Sequence, residues 1–199
     1  MAADGGYTET VTALLAVPGL DLNMADGHGI TALMVAAVGG HTETVAVLLA
    51  APGIEVNAAT GDGLTALMQA AHGGHTETVT ALLAAPGLDV NAATGNGTTA
   101  LTLAAARGHT ETVAALLPAP GLEVNAANGD GDTALMLAAG EGHTEMVTAL
   151  LAAPGLEVNA ADGRGDTALA LAEGQGHVAI ASLLRARVAV DLSDIAHPT

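Results

Sequence analysis

The fold is decided by one stretch of the chain that recurs with a fixed period. Residues 61–94 read GDGLTALMQAAHGGHTETVTALLAAPGLDVNAAT. The Thr-Ala-Leu tripeptide recurs every 34 residues, and a Gly-His pair, a Pro-Gly pair and an Asn after Val or Leu recur in step. Because no copy contains an insertion, the sequence predicts a tandem array of one structural unit. The five Thr-Ala-Leu copies begin at Thr31, Thr65, Thr99, Thr133 and Thr167.

Each unit is predicted to contain two short helices and an extended finger. Residues 65–71 are nearly all apolar, which favours a short buried helix with Thr65 as its N-terminal cap. A second helix is expected over roughly residues 75–85, and the Pro-Gly pair ends it. Residues 88–98 are then expected to be extended. Helices this short do not persist alone in water, so stability must come from stacking one unit on the next.

The composition limits both the core and the class of partner. Of the 199 residues, 50% are hydrophobic, yet Phe and Trp are absent, so a core must consist of small and aliphatic side chains. The 21 acidic residues outnumber 4 arginines, and the net charge is −17. Direct nucleic-acid binding is therefore not expected, because phosphate contacts need clusters of Lys and Arg. The absence of Cys excludes disulfides and thiol catalysis, and no apolar run is long enough for a membrane span.

Three motifs of the unit resemble ankyrin repeats. They are Gly-Asp-Gly-Leu-Thr-Ala-Leu-Met-Gln-Ala-Ala, Gly-Gly-His-Thr-Glu-Thr-Val and Leu-Asp-Val-Asn-Ala-Ala. The tetratricopeptide family has the same period and is the structural alternative, but its units rely on bulky aromatic residues that this chain lacks. The resemblance implies an all-α ankyrin-repeat solenoid, with helix-turn-helix pairs joined by β-turn fingers.

The resemblance also implies a division of the chain into repeats. One domain is expected over residues 1–199. It comprises a half-repeat at 1–30, repeats starting near residues 31, 65, 99 and 133, and a C-terminal capping repeat at 167–199.

The sequence departs from the usual ankyrin pattern after the capping Thr. The family usually has Pro at the next position and a His two residues later, but here Ala follows Thr in all five copies. At the His position stand Met34, Met68, Thr102, Met136 and Ala170. We expect apolar packing by Met in place of the hydrogen-bonded ladder that Thr and His usually form.

A column of asparagines matches a family position with a structural role. In ankyrin repeats this Asn usually holds the turn between finger and helix through side-chain hydrogen bonds to backbone groups, a role that a small neutral amide fills without desolvating a charge. The resemblance implies this role for Asn23, Asn57, Asn91, Asn125 and Asn159.

The two ends of the array differ. Residues 1–9 align with residues 35–43, so the described chain is expected to begin inside a first helix. At the other end, Arg185 replaces the Leu found at the same position of the four preceding repeats. A charge at the position that would face a further repeat is what a terminal cap requires.

No catalytic residue, metal ligand or cofactor site is predicted. The His-x-Glu series, as at His75 and Glu77, lacks the His-Glu-x-x-His spacing that places two ligands on one helical face. The repeated Thr residues are expected to be helix caps, and no Ser stands near a His and an acid in a recognisable order. The Gly-x-Gly turns lack the Lys of a phosphate-binding loop. We therefore predict that the protein is not an enzyme.

The resemblance implies a non-catalytic scaffold that binds a partner protein through its concave face. In the family, partners are usually held by the finger tips and the exposed end of the first helix. The matching positions that vary between copies are the candidate contact residues: His28, Ile30, Asp62, Leu64, His72, Asn96, Thr98, Arg107, Asp130, Asp132, Glu141, Arg164 and Asp166.

Two columns of acidic residues bear on the partner's chemistry. One contains Glu43 and Glu77, the other Glu55 and Asp89, each repeating with the period of the array. They favour a partner with a basic surface, although they could also serve only to keep an Ala-rich array soluble. Two alternatives remain: an acidic decoy for basic nucleic-acid-binding proteins, and a consensus-like structural array without a specific partner. A monomer without membrane contact is expected.

Overall fold

The computed structural model describes the backbone of residues 2–196 and the side chains of residues 2–189. Within these residues the regular structure is helical, and the β-structure consists of isolated bridges. The helices are α1 (Thr8–Leu15), α2 (Ala32–Val38), α3 (Thr42–Leu49), α4 (Ala66–His72), α5 (Thr76–Leu83), α6 (Ala100–Ala106), α7 (Thr110–Leu116), α8 (Ala134–Gly140), α9 (Thr144–Leu151), α10 (Ala168–Gly174) and α11 (Val178–Ala196).

The helices form two stacked rows. The first helices of the repeats, α2, α4, α6, α8 and α10, pack on one another in order, and so do the second helices, from α1 to α11. Helix α4 shows why: its Ala66, Leu67, Ala70 and Ala71 are all buried, and the small alanines allow close approach of the helices on either side. The core is therefore continuous along the array.

The observed helix ends differ slightly from the predicted ones. Thr65 is extended and its Oγ1 accepts a hydrogen bond from the backbone N–H of Met68 at 3.4 Å, so the predicted cap is confirmed and α4 begins one residue later. Helix α5 ends at Leu83, ahead of the Pro-Gly pair. The finger is extended only in part, because turns interrupt it and a single bridge joins Ala93 to Thr99.

The methionine column packs as expected. Met34, Met68 and Met136 are each 1% exposed and belong to the continuous core. Thr102 stands at the same position as these methionines, three residues after the capping Thr99, and forms a reciprocal capping box with it.

The asparagine column connects neighbouring repeats, because the side chains of its first four members bond to the turn between helix and finger in the next repeat. Asn91 Nδ2 donates to the carbonyl oxygen of Gly121 at 2.7 Å, and Asn91 Oδ1 accepts from the backbone N–H of Glu123 at 2.9 Å. Both groups belong to the Pro-Gly turn of the next repeat. The predicted side-chain bonds to the backbone of such a turn are present, and they cross to the next repeat because the finger lies beside it.

The same Asn pairing recurs along the array and ends at its last repeat. Asn23, Asn57 and Asn125 make equivalent bonds to Gly53, Gly87 and Gly155. The position that would face Asn159 is residue 189, which lies inside α11. Among the described residues, Asn159 accordingly has no such partner.

Threonine and histidine form two further series of bonds between repeats. The Oγ1 atoms of Thr42 and Thr78 lie 2.8 Å apart, and Thr8–Thr44 and Thr76–Thr112 are equivalent pairs. In the Gly-His column, the ring Nε2 of His75 lies 3.0 Å from the carbonyl oxygen of Val38 in the preceding repeat. We call these bonds, together with those of the Asn column, the inter-repeat rungs.

The residue predicted to cap the C-terminal end forms an ion pair. The Nη2 atom of Arg185 donates to Glu173 at 2.6 Å, and both side chains are exposed. Glu173 stands where the preceding repeats bury an Ala, as at Ala139. Helix α11 lacks a Pro-Gly stop and continues to Ala196.

The beginning of the described chain is not helical. Residues 2–6 form turns, and the first helix, α1, is equivalent to the second helix of the later repeats. The expected remnant of a first helix is absent from these residues because so short a segment cannot stabilise a helical nucleus. Helices α1 and α2 line an open groove.

Candidate functional site

The five finger tips share one backbone conformation. In the tip at residues 94–98, the N–H of Thr94 donates to the carbonyl oxygen of Thr98, and the N–H of Gly97 donates to the carbonyl oxygen of Thr94. The first residue of each tip also accepts a bond from the chain four residues on, as when the N–H of Thr98 donates to Thr94 Oγ1 at 3.1 Å. The residues in this role are Asp26, Thr60, Thr94, Asn128 and Asp162.

Sequence reasoning missed the hydrogen-bonding role of this first tip position, although a signal was present. The residues there repeat every 34 positions and are all Asp, Asn or Thr, which are the side chains that bond to a backbone N–H within a turn. The tip is thus fixed by local bonds, and its central side chain is free to vary.

Neighbouring tips are in contact. The N–H of Gly163 donates to the carbonyl oxygen of Asp130 at 2.8 Å, and Gly129 packs on Asn96. The candidate residues at these tips therefore lie on a connected row.

Four candidate residues line one groove between two tips. Asp62 and Leu64 of one finger, and Asn96 and Thr98 of the next, enclose about 700 Å³ together with Leu103 of α6. Leu103 was not among the predicted residues. It is half-buried at a position that varies between copies (Val, Gln or Leu), so the criterion used for the finger tips could have found it.

The candidates at the end of the first helix occupy two adjacent positions of the repeat. His72 is the last residue of α4, whereas Arg107 and Glu141 are the C-caps of α6 and α8. His72 is half-buried, and the other two are exposed. Desolvation, followed by the charges of Arg107 and His109, holds the pKa of His72 below its usual value and so favours the neutral ring.

The last tip contains an arginine that is already paired. Arg164 donates through Nε and Nη2 to Oδ2 of Asp162 at 3.1 and 3.0 Å, and Asp166 lies 3.8 Å from Nε. The side chain of Asp162 is 1% exposed. This arginine therefore neutralises a buried carboxylate within the tip, and the tip does not present a free positive charge.

The remaining candidates are also accessible. His28 and Asp130 are exposed, and Ile30 and Asp132 are half-buried. All thirteen candidate residues are thus at least partly accessible. Asp62, Leu64, Asn96 and Thr98 line one groove, and Arg164 lies against Asp166. The other candidates lie along the finger tips and the ends of the first helices.

We predict that Asp162 makes the stability of the last tip sensitive to acid. The N–H of Asp166, opposed by desolvation and aided by Arg164, holds the pKa of Asp162 below its ordinary value of 3.8. A carboxyl with a lowered pKa in the folded state stabilises the fold above the unfolded pKa and loses that contribution as pH falls below it. The urea-unfolding midpoint, measured from about pH 6 to pH 2, should therefore fall less steeply in Asp162→Asn than in the parent chain.

The chain provides a precedent and a control for this experiment. Asn128 accepts the same two backbone bonds in the preceding tip, so Asp162→Asn keeps these two bonds and removes the titrating carboxylate together with its ion pair to Arg164. Asp62→Asn removes an exposed carboxylate as the control. Equal slopes for the parent and Asp162→Asn would contradict the prediction.

The residues that could suggest chemistry have structural contacts. His75 bonds to the preceding repeat, and Thr65 caps α4. In the part of the chain that the structure describes, no three His, Asp or Glu side chains are placed to hold a metal ion. Of the helices described, none has the length and apolar character needed to cross a membrane.

Comparisons with known proteins agree on one family. A family profile described as ankyrin repeats (3 copies) matches residues 1–94, 52–128, 68–162 and 121–194. The crystal structure of EF0377, an ankyrin repeat protein, superposes with a TM-score of 0.85 at 26% sequence identity, and the match covers 92% of this chain and 94% of that chain. A comparison with curated proteins gives no significant match.

Proposed function

Because the chain belongs to the ankyrin-repeat family, whose repeats are generally protein-interaction modules, we propose that it is a non-catalytic scaffold that binds a partner protein along its finger tips. The tetratricopeptide alternative is excluded by the family match. The scaffold acts as a monomer, and its partner presents a basic and partly apolar surface.

One observation carries this proposal: the tips keep their backbone and change their side chains. The central tip position holds His28, Asp62, Asn96, Asp130 and Arg164 in successive repeats, while the hydrogen bonds beneath it remain. A constant scaffold with variable exposed side chains is the arrangement by which loops on rigid elements acquire specificity.

The second variable tip position indicates the order of the contacts. It changes from apolar to acidic along the chain: Ile30, Leu64, Thr98, Asp132 and Asp166. Apolar side chains of a partner would fit the first tips and the groove floored by Leu103, and basic side chains would fit the later ones. Complementary charge of this kind guides the approach of a partner and fixes its register more than it raises affinity.

The test compares two sets of substitutions that change the net charge equally. The tip set is Asp62→Asn, Asp130→Asn, Asp132→Asn and Glu141→Gln. The control set is Glu43→Gln, Glu77→Gln, Glu111→Gln and Glu145→Gln, at exposed positions in the first turns of the second helices. A partner captured with the intact chain should bind the tip variant about tenfold or more weakly in titration calorimetry, and the control variant nearly as well as the parent.

The same experiment separates the alternative functions. If the chain is an acidic decoy that acts through its overall field, both variants should lose affinity equally and the complex should weaken steeply with salt. Unchanged affinity of the tip variant would place the partner on a different surface.

A further inference from the structure

The sequence contains two Asn-Gly pairs, and both lie in finger tips. Asn96 is the central residue of its tip, and Asn128 is the first residue of the next tip. In such a pair the backbone nitrogen of the glycine can attack the side-chain amide carbon of the asparagine, because glycine has no Cβ to obstruct the approach. The hydrogen bonds around each pair decide whether this attack can take place.

The attacking nitrogen is bound in one pair and unbound in the other. The N–H of Gly97 donates to the carbonyl oxygen of Thr94 at 2.9 Å, and this bond closes the tip. Gly129 is exposed, and among the described residues its N–H has no hydrogen-bond acceptor. Because the nitrogen must lose its proton before it attacks, the bond of Gly97 has to break first, whereas Gly129 has no such bond to break.

The side-chain amide of Asn128 is held through its oxygen. Its Oδ1 accepts the backbone N–H groups of Asp130 and Asp132 at 3.0 and 2.9 Å. Attack on the amide carbon places negative charge on this oxygen, and two fixed N–H donors stabilise such a charge as an oxyanion hole does. The Nδ2 atom, which must leave as ammonia, has no acceptor among the described residues. By contrast, Nδ2 of Asn91 donates to Gly121.

The tip also accommodates the product of the reaction. Asp26 and Asp162 occupy the same position in the first and last tips, and each accepts the two equivalent backbone bonds. Conversion of Asn128 to aspartate therefore keeps the hydrogen bonds of its tip and adds a negative charge next to that of Asp130.

We propose that Asn128 is a site of spontaneous deamidation, and that the tip of Asn96 protects that residue. The nitrogen of Gly129 forms a bond to Cγ of Asn128, the bond between Cγ and Nδ2 breaks, and Nδ2 takes up the proton lost by Gly129 and departs as ammonia. A water molecule then opens the succinimide ring. Opening at Cγ gives aspartate, and opening at the main-chain carbonyl carbon gives isoaspartate.

The isoaspartate product alters the row of tips. It places an additional carbon in the backbone before Gly129, which packs on Asn96, and before Asp130, whose carbonyl oxygen accepts the N–H of Gly163 at 2.8 Å. Both contacts between neighbouring tips depend on the backbone path of this segment. Deamidation thus changes the surface assigned to the partner. This consequence rests on the proposed function, whereas the reaction itself does not.

The test incubates the intact chain in mildly alkaline buffer and follows both pairs by peptide mass spectrometry. Cleavage after Arg107 and Arg164 separates Asn96 from Asn128. In the folded chain, Asn128 should convert at least about tenfold faster than Asn96, and enzymatic methylation should detect isoaspartate at residue 128. In guanidinium chloride, which removes the bonds of the tips, the two pairs should convert at similar rates.

Asn128→Thr is the matched control, because Thr60 and Thr94 show that the tip forms around a threonine. In this variant the mass of the peptide 108–164 should not change over the same time. A change that persists would assign the reaction to another residue of that peptide. Conversion of Asn96 as fast as that of Asn128 in the folded chain would overturn the proposal. An intact Asn128 after the unfolded chain has been converted would also overturn it, because the fold would then protect both pairs.

Discussion

Gly131→Ala should destabilise the protein much more than Gly165→Ala, although the two glycines occupy the same tip position and have nearly the same backbone conformation, with φ of 87° and 89°. A side chain at positive φ costs about 1–2 kcal/mol, and this strain is common to both variants. Of these two glycines, only Gly131 also packs on the next finger: an added Cβ would lie 2.7 Å from the backbone N of Gly163 and 3.0 Å from the Cα of Asp162.

The close contact is with backbone atoms, which cannot move aside as a flexible side chain can. We expect it to add about 1–3 kcal/mol to the loss, as overpacking typically does. Equilibrium urea unfolding of the two variants and the parent measures the difference directly. A Cβ added at Gly165 would have no neighbouring atom within 4 Å, so Gly165→Ala measures the backbone strain alone. If both variants lose the same free energy of unfolding, the contact between the fingers does not contribute to stability.

Asn91→Ala should lower the free energy of unfolding by about 2 kcal/mol. The change removes two hydrogen bonds, each with a net contribution of about 0.5–1.5 kcal/mol, and leaves the N–H of Glu123 and the carbonyl oxygen of Gly121 without these partners. Asn159→Ala is the matched control, because that side chain has no equivalent bonds among the described residues. Urea unfolding followed by circular dichroism gives both values.

The location of the bonds also predicts a change in cooperativity. Repeat proteins unfold cooperatively because each unit is stabilised by its interface with the next. Weakening one interface in the middle of the array should broaden the transition of Asn91→Ala and leave that of Asn159→Ala as sharp as the parent's. If Asn91→Ala is as stable as the parent, the Asn column does not hold the repeats together.

The repeat period was sufficient to predict the fold but not the contacts between repeats. Thr65 could be identified as a cap because its partner, Met68, lies three residues away in the same helix. The partner of Asn91 lies 30 residues away, and a residue that is the same in every copy does not indicate whether its contacts are within its own repeat or with the next.

The candidate site was predictable as a set of positions and not as a set of interactions. Variation between copies identified the tips because a variable residue must be tolerated by its surroundings. It did not reveal that Arg164 is bound by Asp162, since that pair occurs in a single repeat. It also missed Leu103, which lies on a helix and meets the finger tips only in the folded protein.

The inter-repeat rungs have a consequence for how such a gene can change in length. Their partners are separated by 30, 32, 36 or 37 residues, so each bond joins a unit to the one directly after it. Unequal recombination that adds or removes a whole 34-residue block recreates the Asn rung at the new junction, because each block brings both halves of that bond. The threonine rung is recreated only by blocks with Thr at the position of Thr78, where the fourth full repeat has Met146. A shift of one residue within a block would instead misalign the Asn with its Pro-Gly turn. Whole units can thus be gained or lost in the interior without compensating mutations, while the ion pair of Arg185 and Glu173, present once, confines such events to the repeats before it.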